Sequence, residues 1–460
     1  MARARELLEL TASLAADYLE SLDSRPVFPS GGPEQLRAAL DTPLPEDPLD
    51  GALVITELAA AAEPGIVASG SGRYFGFVIG GALPTALAAD WLTSTWDQNA
   101  GLYACGPAAS VVEEIARRWL LDLLGLPPGA SMGFVTGAQM AHVTALAAAR
   151  LHVLEQAGWD VSRDGLSGSP RVTVLVGGRR HVTIDRALRL LGLGAPALVA
   201  ADGEGRMVVG ALERALAATS GPTIVCAQLG EVNTGAMDPL AAIADLCEGT
   251  GSWLHVDGAF GLWAAASPAL RGLTSGVEWA DSWTTDAHKW LNVPYDSGIV
   301  ACAHPDAHRR AMTVHAEYLV QSGEERVRDA VDWTPEFSRR ARGFPVYAAL
   351  RALGRSGVAL LVERSCELAR VAAQRLGALP DIEILNAVVL NQVLFRFSDD
   401  ALTDAALADV QRCGEVWLSG TQWDGRSAIR LSVSNWQTGE DDIERVIQAF
   451  SGVAAAVDSR

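Results

Sequence analysis

The chain has 460 residues, 49% hydrophobic and 20% charged, which is enough apolar material for a large buried core and, by length, for two or three domains. Its formal net charge of −19 speaks against nucleic-acid or anionic-membrane partners, because neither is drawn to such a field. Six scattered cysteines without a Cys-x-x-Cys pair, an amphipathic N-terminus with no apolar signal core, and apolar runs too short or too charged to span a bilayer set the expectation of a cytoplasmic protein.

Residues 1–72 alternate helical periodicity with breaks at Pro26, Pro29, Gly31-Gly32-Pro33, Pro43, Pro45 and Pro48. That pattern predicts a helix, an extended linker and a second helix over 51–62, a segment with too little core to stand alone. Aromatic clusters follow at Arg73-Tyr74-Phe75-Gly76-Phe77 and at Tyr103. Such clusters serve as core or as the wall of a pocket.

From Gly133 the pattern becomes strand, helix, strand, helix. Strands are expected at 133–136, 171–176, 223–228 and 253–257, with helices at 138–157, 183–191 and 239–247 between them. This alternation predicts a mostly parallel sheet with helices on both faces, an α/β architecture spanning 73–345. Gly137-Ala138-Gln139 opens the first of these helices, and free backbone N–H groups at a helix start suit a phosphate. After Pro345, a long helical pattern with a break at Gly354 or Gly357 leads into a smaller α/β domain over 346–460. Its strands are expected at 382–385, 392–397, 415–421 and 428–433.

Two residues in the sheet region carry chemistry. Trp253-Leu254-His255-Val256-Asp257 reads as a buried strand with a carboxylate at its C-terminal tip, where open α/β sheets face their ligands. Lys289, after the strand-like run 281–285, is the only lysine among 36 basic residues. Arginine serves as well at the surface, but only lysine loses its proton when desolvated and forms a Schiff base. A lysine and an aspartate on neighbouring strand tips suit pyridoxal phosphate, whose ring nitrogen a buried carboxylate keeps protonated. A surface lysine and a capping aspartate are the plainer reading of each residue alone.

His255-Val256-Asp257-Gly258-Ala259-Phe260-Gly261 together with Asp286-Ala287-His288-Lys289-Trp290 resembles the group II pyridoxal-phosphate-dependent decarboxylases, the family of aromatic-L-amino-acid and glutamate decarboxylases, and further motifs follow in the family's order from about Arg73. The resemblance implies fold-type I, a homodimer with sites at its interface, and an N-terminal segment that packs across the partner. It implies a catalytic group of Lys289, His181, Asp257 and His288, with His181 stacked on the cofactor ring. Gly137, Ala138, Gln139, Thr234, Ala259 and Asp286 join these in binding the cofactor, and Tyr74, Phe75, Tyr103 and Tyr318 fall on substrate segments.

Several positions depart from the family pattern. Ala138 and Gln139 replace the usual Gly-Thr/Ser, Glu231 replaces Thr or Asn, and Asp286 replaces Asn. Arg73 stands where many relatives carry an apolar residue or proline, and reads as a surface arginine or as a partner for a second substrate carboxylate. Residues 314–333 resemble the family's mobile loop, whose tyrosine donates a proton after loss of carbon dioxide; its place falls near Ala330, and Tyr318 is the only tyrosine in the loop.

The expected function is therefore decarboxylation of an L-amino acid, aromatic or bulky, through a Lys289 Schiff base. The alternatives are an aldehyde synthase or aldolase-type lyase on the same fold, motivated by the displaced tyrosine. A metal-dependent hydrolase using His255, Asp257 and His288, or a non-catalytic homologue, stands further off.

Overall fold

Apolar residues on both faces of short runs drive the strands between Ser131 and Cys302 into the centre of the molecule, where each face is covered by helices. The computed structural model describes residues 2–314 and 328–458. Its larger sheet comprises β1 (Ser131–Val135), β2 (Thr173–Gly177), β3 (Ala197–Val199), β4 (Thr223–Gln228), β5 (Trp253–Asp257), β6 (Ser282–Asp286) and β7 (Gly298–Cys302), in the order β1-β7-β6-β5-β4-β2-β3. Val174, Val176, Ile224 and Trp253 pack toward the Ala138–Gln156 helix, while Leu175, Val225, Leu254, Val256 and Trp283 pack into the core on the opposite face.

The sheet is parallel except at β7, which runs antiparallel to both β1 and β6. The 287–297 connection after β6 contains no crossover helix, so the chain turns back beside the strand it has just left. That reversal carries Lys289.

The C-terminal sheet is wholly antiparallel: β8 (Ile382–Ile384), β9 (Gln392–Phe397), β10 (Ser419–Trp423) and β11 (Arg426–Ser432), in the order β10-β11-β9-β8. Asp424 (φ 49°) and Gly425 (φ 76°) form the two-residue turn between β10 and β11, a conformation that sets the pairing and places β10 later than the expected 415–421. Helices Asp400–Cys413 and Glu440–Asp458 and the end of the Gly343–Leu376 helix cover it. The long helix breaks at Gly354, whose φ of 61° and ψ of −178° are open to glycine.

Two expectations for the 73–77 segment are corrected. Arg73 is neither on the surface nor aimed at a ligand: it is 2% exposed, and its guanidinium donates to the carbonyls of Leu22 (3.0 Å), Arg25 (2.6 Å) and Glu415 (2.9 Å). Phe75 is no pocket residue. Its side chain is fully buried in the core of the C-terminal sheet, and its backbone pairs with Trp417 and Ser432. Among the described residues no helix is long and apolar enough to cross a membrane.

Candidate active site

β5 and β6 lie side by side with His255 opposite Ser282 and Asp257 opposite Thr284. The two-residue period sends Leu254, Val256 and Trp283 to one core, so Trp253, His255 and Asp257 share the other face with Ser282, Thr284 and Asp286. The Ala138–Gln156 helix packs on that face. Its start lies tight on β7, because a Cβ at Gly298 would fall 2.3 Å from the Gly137 Cα. Strand tips and a helix N-terminus thus converge on the 287–297 turn.

Asn292 holds that turn from within. It adopts φ 56°, its Oδ1 accepts the N–H groups of Gly81 (2.7 Å) and Trp436 (2.9 Å), and its Nδ2 donates to the carbonyls of Trp290 and Ser434 (both 2.9 Å). Gly80 is pressed against the same turn, with space for no Cβ: one would lie 1.9 Å from the Lys289 carbonyl oxygen. The Lys289 side chain is 20% exposed, and its Nζ lies 3.2 Å from Asp286 Oδ2. Asp286 Oδ1 accepts the Ala138 N–H at 2.6 Å and lies 3.6 Å from His288 Nε2. His288 Nδ1 accepts the Ser297 N–H at 3.2 Å, and its ring stacks on Tyr295 with centroids 4.2 Å apart. Burial pushes the His288 pKa down, with the Asp286 carboxylate opposing.

Asp257 is 5% exposed. Its Oδ1 accepts the Ala259 N–H at 3.1 Å and its Oδ2 lies 3.5 Å from His142 Nε2. Burial works to raise its pKa, but His142, His181 and Lys289 outweigh it and hold the carboxyl well below the usual carboxylate range. His181 caps the Val182–Leu190 helix, with its Nδ1 2.8 Å from Thr183 Oγ1. Burial lowers its pKa, and the nearby Asp257 charge acts against that.

The structure thus brings Lys289, Asp286, His288, Asp257, Ala259, His181 and the 137–139 turn into one cluster of contacts and charge interactions. Gln139 joins it at the edge: its Nε2 donates to the Thr183 carbonyl at 3.3 Å, and its Oε1 is buried without a partner. Thr234 points elsewhere, donating to the Glu204 carbonyl at 2.7 Å. Glu231 accepts the backbone N–H groups of Asn233 (2.6 Å) and Thr234 (2.8 Å), so it braces its own turn.

Tyr74 stacks on Trp417 with centroids 5.1 Å apart, and the Tyr103 N–H donates to Asp329 beside Ala330. Tyr318 lies outside the described residues. Sequence reasoning missed His142, Tyr295 and Asn292. For His142 the available signal was a single imidazole in an alanine-rich run five residues after Gly137.

These residues fit pyridoxal phosphate. An amine, a deeply ionised carboxylate and a helix N-terminus sit together, and Ser297 Oγ and Gln139 Oε1 beside that terminus are buried polar atoms without partners among the described residues. The metal-ligand reading does not fit, because both nitrogens of His255 are engaged, by Ser282 (2.9 Å) and His142 (3.0 Å).

Comparison with known proteins agrees. An aromatic-L-amino-acid decarboxylase of Bacillus atrophaeus is 28% identical over 98% of this chain and 96% of its own length. An L-2,4-diaminobutyrate decarboxylase of Rhizobium meliloti is 30% identical over 81% of this chain and 76% of its own. The fold matches Oryza sativa TDC, solved with PLP and tryptamine, at a TM-score of 0.93 and 22% identity over 99% of this chain and 98% of that one. It matches 4-hydroxyphenylacetaldehyde synthase of Rhodiola rosea at 0.89 and 22% over 99% of each. Residues 33–398 match the conserved domain of the pyridoxal-dependent decarboxylases, and the chain belongs to that family.

Proposed function

We propose that the chain decarboxylates an L-amino acid, aromatic or bulky, with Lys289 as the residue that holds pyridoxal phosphate covalently. The observation that carries this reading is the placement of the only lysine, partly buried, within charge range of Asp257 and 3.2 Å from Asp286. Bound pyridoxal phosphate supplies the electron sink for the pair left behind when carbon dioxide departs.

The side chains supply the rest. Asp257, kept ionised, would hold a proton on the ring nitrogen of the bound cofactor. His181 would lie against the ring, and the N–H groups of Gly137 and Gln139, with His288 and Ser297, would hold the phosphate, the Ala138 N–H being taken by Asp286. The preference for an aromatic side chain is supported by Tyr295 stacked on His288 and by the names of the relatives. A homodimer belongs to the same reading, supported by the exposed Trp91, Leu92 and Trp96 on the Pro84–Trp96 helix. So do a cytoplasmic location, supported by six free cysteines, and a division into 1–72, 73–345 and 346–460.

The test is the visible spectrum of the purified protein beside Lys289→Ala, followed by an amino-acid panel. A cofactor band in the wild type that the variant lacks, with carbon dioxide released, is the expected result. No band after addition of pyridoxal phosphate overturns it.

One observation favours a second outcome on the same site. Ala330, near which the resemblance puts the family's proton-donating tyrosine, is 1% exposed and brings no transferable proton. Oxygen uptake with aldehyde formation would mark that outcome; amine formation without oxygen uptake excludes it.

A further inference from the structure

Behind Asp257 the α/β core contains a line of polar side chains where apolar packing is the rule. Trp253 Nε1 lies 2.9 Å from Ser282 Oγ, Ser282 Oγ lies 2.9 Å from His255 Nδ1, His255 Nε2 lies 3.0 Å from His142 Nδ1, and His142 Nε2 lies 3.5 Å from Asp257 Oδ2. Every member is 5% exposed or less. The residues around His142 on its helix, Ala141, Ala145, Leu146, Ala148 and Ala149, are apolar and fully buried, so nothing in the packing calls for an imidazole there.

We propose that His142 is the positioning residue for Asp257, held by the Trp253–Ser282–His255 line so that its Nε2–H faces Oδ2, fixing the orientation and negative charge of the carboxylate that serves the cofactor ring nitrogen. The proposal rests on the role assigned to Asp257 above.

The direction of the line follows from donor chemistry. An indole N–H only donates, so Ser282 Oγ accepts from Trp253 and its own proton is free to go to His255 Nδ1. His255 is neutral, because its complete burial holds its pKa down to about 3. It therefore carries one ring proton, placed by this arrangement on Nε2 and donated to His142 Nδ1. A neutral His142 then has its proton on Nε2, toward Asp257.

The reverse setting has His255 donating to Ser282 and His142 donating from Nδ1 to His255. A bare His142 Nε2 would then face an ionised carboxylate, lone pair against lone pair. The first setting is therefore the one that puts an N–H on the side of Asp257. Thr284 Oγ1 lies beside His142 Nδ1 at 3.4 Å, a longer contact than that of His255. The other Asp257 oxygen is taken by the Ala259 N–H of its own turn, which leaves Oδ2 as the oxygen that faces His142 Nε2, 3.5 Å away.

The first measurement uses full-length, cofactor-free protein labelled with [¹⁵N]histidine. His142 and His255 are expected to show a protonated Nε2 and a bare Nδ1, and Trp253→Phe is expected to perturb both signals although Trp253 lies outside the cofactor cluster. A bare Nε2 on His142 overturns the proposal without any site variant having to fold.

The second measurement loads wild type, His142→Leu, His142→Gln and Asp257→Asn with pyridoxal phosphate labelled at the ring nitrogen. His142→Leu is expected to shift the pyridine ¹⁵N signal toward the unprotonated value and to lower kcat at least tenfold with KM within threefold. His142→Gln, which restores an N–H donor, is expected to recover most of both. If His142→Leu retains the protonated signal and turnover while Asp257→Asn loses them, the relay is refuted and the Asp257 reading stands. If Asp257→Asn also retains them, both fall together.

Discussion

Gly298→Ala tests the phosphate end of the site through one methyl group. The new Cβ would sit 2.3 Å from the Gly137 Cα, 2.5 Å from its carbonyl carbon and 2.7 Å from its nitrogen, where ordinary contact begins at 3.4 Å. Residue 298 is paired with both neighbours, opposite Val135 in β1 and Asp286 in β6, so the strand is held and the turn must recede by about 1 Å. A phosphate N–H···O bond of about 2.9 Å stretched by that amount leaves the hydrogen-bonding range. One lost bond to a charged group is worth about 1.5–3 kcal/mol, which weakens the dissociation constant roughly 10- to 150-fold. The added methyl also costs about 1–3 kcal/mol of stability through overpacking.

The assay titrates cofactor-free protein with pyridoxal phosphate and, separately, with pyridoxal, following the visible band. Only the phosphorylated ligand should lose its advantage. Gly249→Ala, in a helix with nothing within 4 Å of its added Cβ, is the control and should bind as the wild type does. A folded Gly298→Ala protein that binds pyridoxal phosphate within threefold of wild type would refute the assignment of the 137–139 turn to the phosphate.

Three further outcomes follow from the same geometry. Lys289→Ala should keep its far-ultraviolet circular dichroism and lose the visible band, because the turn is held by Asn292 rather than by the lysine. Asp286→Asn removes a negative charge from the turn proposed to hold the phosphate while keeping an acceptor for the Ala138 N–H. Relief of about 1 kcal/mol of repulsion should tighten pyridoxal phosphate roughly fivefold, whereas loss of the Lys289 ion pair should lower the melting point of the cofactor-free form; weaker cofactor binding would refute this. His308, bonded to Ser131 Oγ (2.8 Å) and the Trp333 carbonyl (3.0 Å), is held down to about 3 by burial. Its folded pKa lies below the unfolded value of about 6.5, so its contribution is complete above that pH and is lost as pH falls from 6.5 toward 3. His308→Gln should flatten the drop in unfolding free energy between pH 7 and pH 5 by about 2 kcal/mol, and an unchanged drop in chemical denaturation would refute it.

Much of this was legible in the chain because burial on both faces leaves strong traces. The runs 223–228 and 253–257 are strands at those residues, and the break near Gly354 is real because only glycine enters that conformation freely. Direction was not legible at β7: Gly298–Cys302 is apolar like its neighbours, and nothing within such a run states which way it points. Arg73 reads as a surface residue by type, yet three carbonyls from distant segments satisfy it in the interior.

Phe75 was misplaced because left-handed conformations at Phe77 and Val78, both φ 54°, follow it, and a β-branched residue gives no hint of one. Phe77, not Phe75, is the exposed aromatic of that segment. The polar line behind Asp257 was written at period two in Trp253-x-His255-x-Asp257 and Ser282-x-Thr284-x-Asp286. Its meaning depends on the register of the two strands and on His142 arriving from another helix.

The solitary lysine has a consequence for chemical modification. Lys289 Nζ is the one side-chain amine in the chain, and it sits at the bottom of the site beside a carboxylate. Reagents that acylate, reductively alkylate or crosslink lysines have no other lysine side chain to consume them, so lysine modification in this protein is a direct titration of the proposed active site. Its extent is capped at one side chain per chain, and protection by pyridoxal phosphate measures occupancy without any turnover.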